Sequence, residues 1–337
     1  MKYTVNQGRL GSHQPIAHPA TSHQPMMPHG IMFHHFHGGD RLPQQGSISA
    51  DDLERILRGL GSSRILDPAT WMERLETSRL DSSDLCLTFD DGLLCQFDVA
   101  LPVLERHNLR AFWFVYSSVF EGHVEKMEVY RFFRSQFFKE IDHFYALFFD
   151  KVSRSAHAER ARQVATEEAV EVLRHRFPFY SQNDARFRLI RDQALTRHQY
   201  EHVMDEILRE RRADPTALAK GLWMTDDHLR YLTERGHIIG LHSYSHPTSL
   251  ARLPRERQWA EYDKNMRHIW RVCGISPTVA AHPCDSYNDD TLEILRVLGV
   301  RCAFRSHMST RRNEEALNPS SLEIAREDHA NLLSRVS

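Results

Sequence analysis

Two adjacent aspartates, Asp90 and Asp91, follow a short apolar run in the segment LCLTFDDGLL, and a glycine comes directly after them. Two carboxylates this close repel each other unless a cation lies between them or one of them holds a proton. A divalent cation would offset the repulsion and lower the pKa of a coordinated water. One carboxylate would then ligate the cation while its neighbour acts as a general base.

Two further polar stretches, HSYSH (242–246) and HPCDSYND (282–289), also follow predicted strands. His242 and His246 are four residues apart, and Pro247 disfavours helical conformation at His246, so we place both imidazoles on a loop. Such loops at the carboxyl ends of parallel strands form the sites of α/β folds. Two histidines and one aspartate with an open coordination position form a catalytic ligand set for Zn²⁺ or a similar divalent ion.

The elements around these stretches alternate between strand and helix patterns, which indicates a parallel sheet. The segments GIMFHHF, LCLTF, RAFWFVYSS, HIIGLHS, PTVAAHP and VRCAFRS predict strands. Helical patterns lie between them, with Ser49 and Thr225 as predicted N-caps. The α/β units predict an incomplete TIM-like barrel.

Residues 122–220 interrupt this alternation, because their apolar residues recur at helical spacing. We predict a helical insertion there, which divides the barrel into residues 29–121 and 221–337. Residues 1–28, rich in Pro, His, Gln and Ser, predict a poorly ordered segment. The aromatic segments FFRSQFF and FYALFF of the insertion could pack within their own domain, cover the site, form a dimer interface or touch a membrane.

Composition restricts the class of protein. With 43 Lys+Arg against 45 Asp+Glu, the chain has no basic surplus of the kind that indicates a nucleic-acid partner. No apolar run is long enough for a transmembrane helix, and the first 20 residues lack the apolar core of a secretory signal, so we predict a cytoplasmic protein. An odd number of cysteines without CxxC spacing indicates free thiols in a reducing compartment. They are Cys86, Cys95, Cys273, Cys284 and Cys302.

The three polar stretches resemble those of the polysaccharide deacetylase family, the NodB-homology carbohydrate esterases. TFDDG matches the family's first motif, GHIIGLHSYSHPTSL resembles the second, and AAHPCDSYNDDTLEILRVLGV resembles the third in a branch without the usual arginine. The resemblance covers about residues 30–120 and 220–330. It implies an irregular (β/α)7-type TIM-like barrel and a hydrolase that removes an N-acyl group from an amino sugar.

The resemblance also implies roles for individual residues. Asp90 would be the general base, and Asp91, His242 and His246 would bind the metal. The backbone N–H of Cys284 would stabilise the oxyanion. The side chain of Cys284 is either a small neutral filler or a thiolate perturbed by the metal.

The chain departs from the family pattern at the arginine that orients the base in many members. Ala281 stands in its place, and we predict that Arg326, in LEIAREDHANL, substitutes for it. The third stretch also has Cys284-Asp285 instead of the usual Tyr-Gly. We predict substrate contacts from three residues of this stretch, namely His282, Asp285 and Tyr287.

The catalytic acid is the least defined role, because the chain has no convincing LxxH motif near its C-terminal end. GIMFHHFHG resembles the N-terminal strand that supplies the histidine in some family branches, which favours His34. His35, His37 and His329 remain candidates. His34 could instead be a hydrogen-bonded interior histidine.

These observations predict a hydrolase with one divalent metal, Zn in the first place and otherwise Co or Ni. The expected substrate is a nucleotide- or lipid-linked amino sugar that serves as a precursor of bacterial surface polysaccharide. A metal-dependent amidase of a non-sugar substrate is the main alternative. A non-catalytic carbohydrate-binding relative is the third reading, against which the intact aspartates and histidines argue. Homo-oligomerisation through the insertion is a further expectation.

Overall fold

The computed structural model describes residues 29–39, 41–176, 180–308 and 316–335 of the chain. The segment 1–28, predicted to be poorly ordered, lies outside these residues. Seven strands form one parallel sheet in the order β6-β5-β4-β3-β2-β1-β7. They are β1 His29–Phe33, β2 Leu85–Asp90, β3 Phe112–Val115, β4 Ile238–Leu241, β5 Val279–Ala281, β6 Cys302–Phe304 and β7 Arg326–Asp328.

The sheet curves into a nearly closed barrel, because the chain just before β7 contacts β6. Phe304 of β6 pairs with Ile324 in a parallel bridge, and the Arg305 N–H donates to the Ile324 carbonyl at 2.8 Å. Two residues later, Arg326 pairs with Gly30 of β1. The predicted irregular (β/α)7-type barrel is therefore confirmed, although β7 was not among the predicted strands.

Alternate residues of each strand face the interior of the barrel and the surrounding helices. On β2, Leu87 and Phe89 belong to the large core between strands and helices. Cys86 belongs to a second cluster with Phe304, and Asp90 shares its side of the strand. The interior is tightly filled, since a Cβ added at Gly240 would lie 2.6 Å from ring carbons of Phe114.

Fourteen α-helices accompany the strands among the described residues. The predicted N-caps Ser49 and Thr225 are confirmed, each in a capping box. Short π-helical turns at Gln96–Ala100 and Ile190–Ala194 adjoin α3 and α8. The helices are α1 Ala50–Leu60, α2 Pro68–Glu76, α3 Leu101–Arg106, α4 Lys126–Phe137, α5 Ile141–Ser153, α6 Ala158–Val164, α7 Glu167–Arg176, α8 Gln182–Leu189, α9 Arg197–Glu210, α10 Pro215–Ala219, α11 Asp226–Glu234, α12 Arg255–Cys273, α13 Asp289–Val297 and α14 His329–Leu333.

Helices α4 to α10 lie between β3 and α11 in the chain, and we call them the helical block. Their aromatic side chains pack on one another, and Phe133, Phe144 and Phe148 are fully buried. This packing forms a hydrophobic core distinct from the barrel core. Among the helices of the described residues, none has the length and apolarity needed to cross a bilayer.

Candidate active site

The ends of β2 and β4 bring three candidate metal ligands together at one end of the barrel. One ligand atom from each of Asp91, His242 and His246 lies within 4.8 Å of the others. Nε2 of His242 and Nε2 of His246 lie 3.5 and 3.4 Å from Oδ1 of Asp91. Ligand atoms that surround one ion tetrahedrally at about 2.0–2.2 Å are about 3.3–3.6 Å apart. The separations therefore fit a single divalent ion.

The hydrogen bonds around these ligands also fit a cation. Asp91 Oδ1 is buried and has no hydrogen-bond partner among the described residues. A buried carboxylate oxygen without a partner is unfavourable unless a cation binds it. His242 Nδ1 lies 2.9 Å from the Ala281 carbonyl and can donate to it. Such a bond fixes the tautomer of a ligand histidine and leaves Nε2 free for a metal.

The electrostatics of the triad favour an anionic aspartate and a neutral His246. Burial acts to raise the pKa of Asp91, but the facing imidazoles of His246 and His242 outweigh it and hold that pKa below the usual range. Burial lowers the pKa of His246 to about 4. Burial also disfavours charge on His242, yet the nearby carboxylates of Asp91 and Asp90 raise its pKa.

Helix α12 supports the histidine loop through two residues that sequence reasoning missed. The buried Asn265 accepts the His242 N–H at 3.0 Å through Oδ1. Glu261, one turn earlier, accepts the N–H groups of Tyr244 and Ser245 at 3.0 and 2.8 Å. Both lie in an amphipathic helix, where polar residues ordinarily face solvent, so the sequence carried no signal for them.

Asp90 and Arg326 form a bidentate ion pair inside the barrel. Nη1 and Nη2 of Arg326 donate to Oδ1 and Oδ2 of Asp90, both at 2.7 Å. The guanidinium also donates to the Arg305 carbonyl at 2.6 Å and to the Thr88 hydroxyl at 3.2 Å, and its side chain is fully buried. Burial acts to raise the pKa of Asp90, but Arg326 outweighs it and keeps that pKa below its usual value. Arg326 therefore contacts Asp90 as the sequence analysis predicted for a residue that replaces the family's usual arginine, at whose position this chain has Ala281.

The four histidine candidates for the acid differ in their surroundings. His34 Nε2 lies 3.7 Å from Asp90 Oδ2, and its side chain is 29% exposed. His35 Nε2 contacts both carboxylate oxygens of Glu128 at 3.0 Å. His37 bonds to the Ser47 hydroxyl, and both ring nitrogens of His329 face backbone carbonyls. Of the four, only His34 and His35 line the cavity that contains the triad.

The third polar stretch reaches the cavity only in part. His282 and Cys284 line it, whereas Asp285 and Tyr287 do not, so the structure does not place the last two as predicted substrate contacts. Asp285 pairs with His307 at 2.8 Å, and the Tyr287 hydroxyl donates to Glu323 at 3.1 Å. Cys284 is exposed at the cavity surface, where desolvation within the cavity and the charge of Asp91 raise the pKa of its thiol to about 12, which favours the neutral thiol over the thiolate.

Left-handed backbone conformations cluster around the site. Positive φ values of 78°, 52° and 49° occur at Asp91, His246 and Cys284, and Ser243 and Asp285 share this conformation. Such conformations are unfavourable for residues with a Cβ, and they cluster at functional sites where the surrounding structure enforces them. Asp90 faces the interior of the barrel, and the left-handed conformation of the next residue, Asp91, directs the Asp91 side chain toward His242 and His246 instead.

Gln96 is a further residue that the sequence analysis missed. Its amide donates to the Asp90 carbonyl at 2.6 Å and to the His34 carbonyl at 2.8 Å. The side chain is fully buried. It therefore links the strand end that carries the candidate base to the loop that carries the candidate acid. No motif marks this glutamine, because the link depends on the π-helical turn after the DDG segment.

The triad, Asp90 and His34 open into a cavity of about 960 Å³. The helical block forms a large part of its lining, including Glu125, Glu128 and several arginines. A volume of this size holds a ligand larger than a single sugar ring. The cavity is the place where the barrel and the block meet over the candidate ligands.

A sequence profile described as Polysaccharide deacetylase matches residues 198–303, which include both histidines of the triad and the third polar stretch. The resemblance to the polysaccharide deacetylase family is thereby confirmed. The predicted class of enzyme, a polysaccharide deacetylase-like hydrolase, is confirmed with it. No curated protein sequence matches the chain significantly.

Solved structures of deacetylases share the fold. The deacetylase PplD of Streptococcus pyogenes, in complex with acetate, is 14% identical with a TM-score of 0.52, covering 93% of this chain and 100% of its own. The de-N-acetylase of Aggregatibacter actinomycetemcomitans is 12% identical with a TM-score of 0.53, covering 92% and 99%. IcaB of Ammonifex degensii is 13% identical with a TM-score of 0.51, covering 93% and 98%. At these identities the likeness extends to the fold alone.

Proposed function

We propose that the protein is a metal-dependent deacetylase that hydrolyses the N-acetyl group of an amino sugar carried on a nucleotide or a lipid. Such a reaction would belong to the assembly of a bacterial surface polysaccharide. The observation that carries the proposal is the arrangement of Asp90, oriented by Arg326, directly beside Asp91, His242 and His246. The family match supports the reaction class, and the volume of the cavity supports a substrate larger than a monosaccharide.

The metal ligands in this proposal are Asp91, His242 and His246. A divalent ion bound there would supply Lewis-acid activation of the acyl carbonyl and of water. Zinc suits two imidazoles and one carboxylate, and cobalt or nickel accepts the same donor set. The single ion and its identity are part of the proposal.

The chain's own residues carry the proton transfers. Asp90 accepts the proton of the attacking water, and Arg326 holds both of its oxygens so that the carboxylate keeps one orientation. The N–H of Cys284 would donate to the oxyanion that develops on the acyl oxygen. His34 in its protonated form would donate to the departing amine, which leaves acetate and a free amino sugar.

The proposal is tested with the purified full chain loaded with Zn²⁺, Co²⁺ or Ni²⁺ and incubated with N-acetylated nucleotide sugars. We expect about one metal per chain and release of acetate. Asp90→Asn should retain the metal and lose activity by at least about 10²–10⁴-fold, because the general base is absent. Asp91→Asn should lose the metal as well.

Asp98→Asn provides the control, because Asp98 lies near the motif but pairs with Arg41 on the surface, outside the active-site cavity. It should leave both metal content and acetate release unchanged. Protein that binds none of the three metals and releases no acetate would contradict the proposal. Full activity of Asp90→Asn would remove Asp90 as the base.

A further inference from the structure

The wall of the cavity opposite the barrel is rich in arginine. Besides Arg326 of the barrel, seven arginines line the cavity, six from the helical block and Arg252 from the loop before α12. Three of the seven have carboxylate partners within ion-pair distance. These pairs are Arg188 with Asp184, Arg191 with Asp192, and Arg197 with Glu125.

The other four arginines have no carboxylate partner within ion-pair distance in the part of the chain that the structure describes. Arg131 donates to the Gln45 carbonyl, and Arg160 donates to the Gln193 carbonyl at 3.1 and 3.2 Å. The four are Arg131, Arg134, Arg160 and Arg252. Glu128 lies near enough to act on Arg131, but its ion pair is with His35. The wall therefore carries an excess of positive charge beside the candidate active site.

Arg134 is the buried member of this set. It is only 9% exposed, and its Nε has no hydrogen-bond partner among the described residues. Its guanidinium carbon lies 5.4 Å from the ring centre of Phe144 and 5.0 Å from that of Phe187. Burial lowers the pKa of this guanidinium from its usual value. The two rings offset part of the cost of burying this cation, but no carboxylate among the described residues pairs with it, and an anion in the cavity would relieve the remaining cost.

We propose that Arg131, Arg134, Arg160 and Arg252 form a subsite for the phosphate or diphosphate group of the substrate. Guanidinium groups bind phosphate oxygens bidentately, and several around one group match two or more negative charges. A single carboxylate, as in a uronic acid, would leave most of them unpaired. The inference rests on the proposed deacetylation, since the anion is taken to be joined to the amino sugar whose amide reaches the triad.

The shared chemistry of this subsite is a sugar diphosphate, which a nucleotide or a polyprenyl lipid can supply. Binding is measured calorimetrically with inorganic pyrophosphate and the full chain, after chelation of divalent metal so that metal–pyrophosphate binding is excluded. We expect saturable binding that weakens at higher ionic strength. Arg160→Gln and Arg252→Gln should each weaken it about tenfold or more, as expected for the loss of a charge-assisted hydrogen bond.

Arg162→Gln is the matched control, because Arg162 lies on the same helix as Arg160 but pairs with Glu159 and is 69% exposed. Its pyrophosphate affinity should equal that of the wild type. Absence of pyrophosphate binding would overturn the subsite. Equal weakening in Arg160→Gln and Arg162→Gln would also overturn it, because it would indicate a diffuse charge effect.

Arg134→Met gives a second measurement that does not depend on the exposed arginines. In buffer without multivalent anions, its unfolding temperature should equal or exceed that of the wild type, because an unpaired buried charge is gone. The rise in unfolding temperature that pyrophosphate causes in the wild type should be absent. A variant that keeps the full rise would exclude Arg134 from the subsite.

Two diphosphates then distinguish the sources. Uridine diphosphate and farnesyl diphosphate are compared with pyrophosphate, and the one that binds more tightly identifies a nucleotide or a lipid carrier. None of these probes contains an N-acylated amino sugar, so their binding is independent of the proposed deacetylation. Diphosphate binding without acetate release from any sugar would retain the subsite and reject the proposed reaction. Acetate release without diphosphate binding would retain the proposed reaction and reject the subsite.

Discussion

Asp90 and Asp91 are neighbours in the chain but occupy opposite electrostatic environments. Asp90 faces the interior of the barrel, where both of its oxygens accept from Arg326. Asp91 adopts a φ of 78° and faces two imidazoles instead of a guanidinium. The repulsion that adjacent carboxylates would otherwise feel is offset separately for each, which suits one for proton transfer and the other for a cation.

Arg326→Gln is predicted to shift the acid limb of the pH–activity profile to higher pH. Burial favours the protonated form of Asp90, and Arg326 is the main group that opposes this effect and keeps the pKa low. Activity requires ionised Asp90, which is present above its pKa, so a raised pKa moves the onset of activity upward. The measurement is kcat/KM against pH.

Arg326→Lys serves as the comparison for this shift. Lysine keeps the positive charge but replaces two parallel hydrogen bonds with a point charge. Its acid limb should fall between those of the wild type and Arg326→Gln, with a reduced maximal rate from poorer orientation. An acid limb that stays fixed in both variants would show that Arg326 does not control the ionisation of Asp90.

His34→Ala is predicted to lower kcat by about 10²–10⁴-fold with metal still bound, since removal of a general acid has effects of this size. His34 is the candidate nearest to Asp90, at 3.7 Å. His35→Ala is the matched comparison on the adjacent residue, which is held by Glu128. It should reduce kcat less. The opposite ranking would transfer the acid role to His35.

At the scale of the elements, α12 supports the loop that carries His246. Glu261→Ala removes an acceptor shared by two backbone N–H groups of that loop. We predict metal affinity lower by about 10–100-fold, as is usual when groups that position metal ligands are removed. Glu256→Ala, in the exposed first turn of the same helix, is the control. The readout is zinc affinity by competition with a chelating dye, and equal affinities in both variants would contradict the role.

The elements themselves were largely predictable from sequence, because hydrophobic periodicity and capping residues agree over most of the barrel. The strand β7 was missed because its three residues, Arg326–Asp328, are all charged and carry no strand pattern. The two histidines that are candidate metal ligands and both aspartates follow from motif spacing at strand ends. Asp285 and Tyr287 could not be placed that way, since positive φ at Cys284 and Asp285 redirects the chain after the proline.

The arginines that line the cavity wall could not be predicted from the sequence either, for a different physical reason. Its members come from separate helices and loops, spread from Arg131 to Arg252, and no local spacing relates them. They line one cavity only because of how the helical block packs over the barrel. The net charge of the whole chain, -2, also gives no indication of a local cluster of arginines.

At the scale of the whole molecule, we propose that residues 29–121 and 221–337 form one folding unit and residues 122–220 another. Phe148→Ala is predicted to cost about 3–5 kcal/mol of stability, because a fully buried aromatic side chain is removed from the core of the block. Phe148 packs on Phe187, the ring beneath Arg134. Pyrophosphate binding should therefore weaken while zinc affinity is retained.

Phe137→Ala is the control for this experiment, since Phe137 lies in the same block but is 38% exposed. It should change stability by less than Phe148→Ala and leave pyrophosphate binding intact. Thermal unfolding followed by calorimetry, with and without zinc, provides the measurement. Simultaneous loss of zinc and pyrophosphate binding in Phe148→Ala would indicate that barrel and block fold as a single unit.

The ion pair between Asp90 and Arg326 joins residues 236 positions apart in the sequence. During synthesis, the aspartates and both histidines leave the ribosome well before β7 does. A nascent chain can therefore bring its candidate metal ligands together while Asp90 is still without Arg326. Contacts of such long range also form slowly. The bidentate pair that orients Asp90 therefore exists only after translation has passed residue 326 and the barrel has closed.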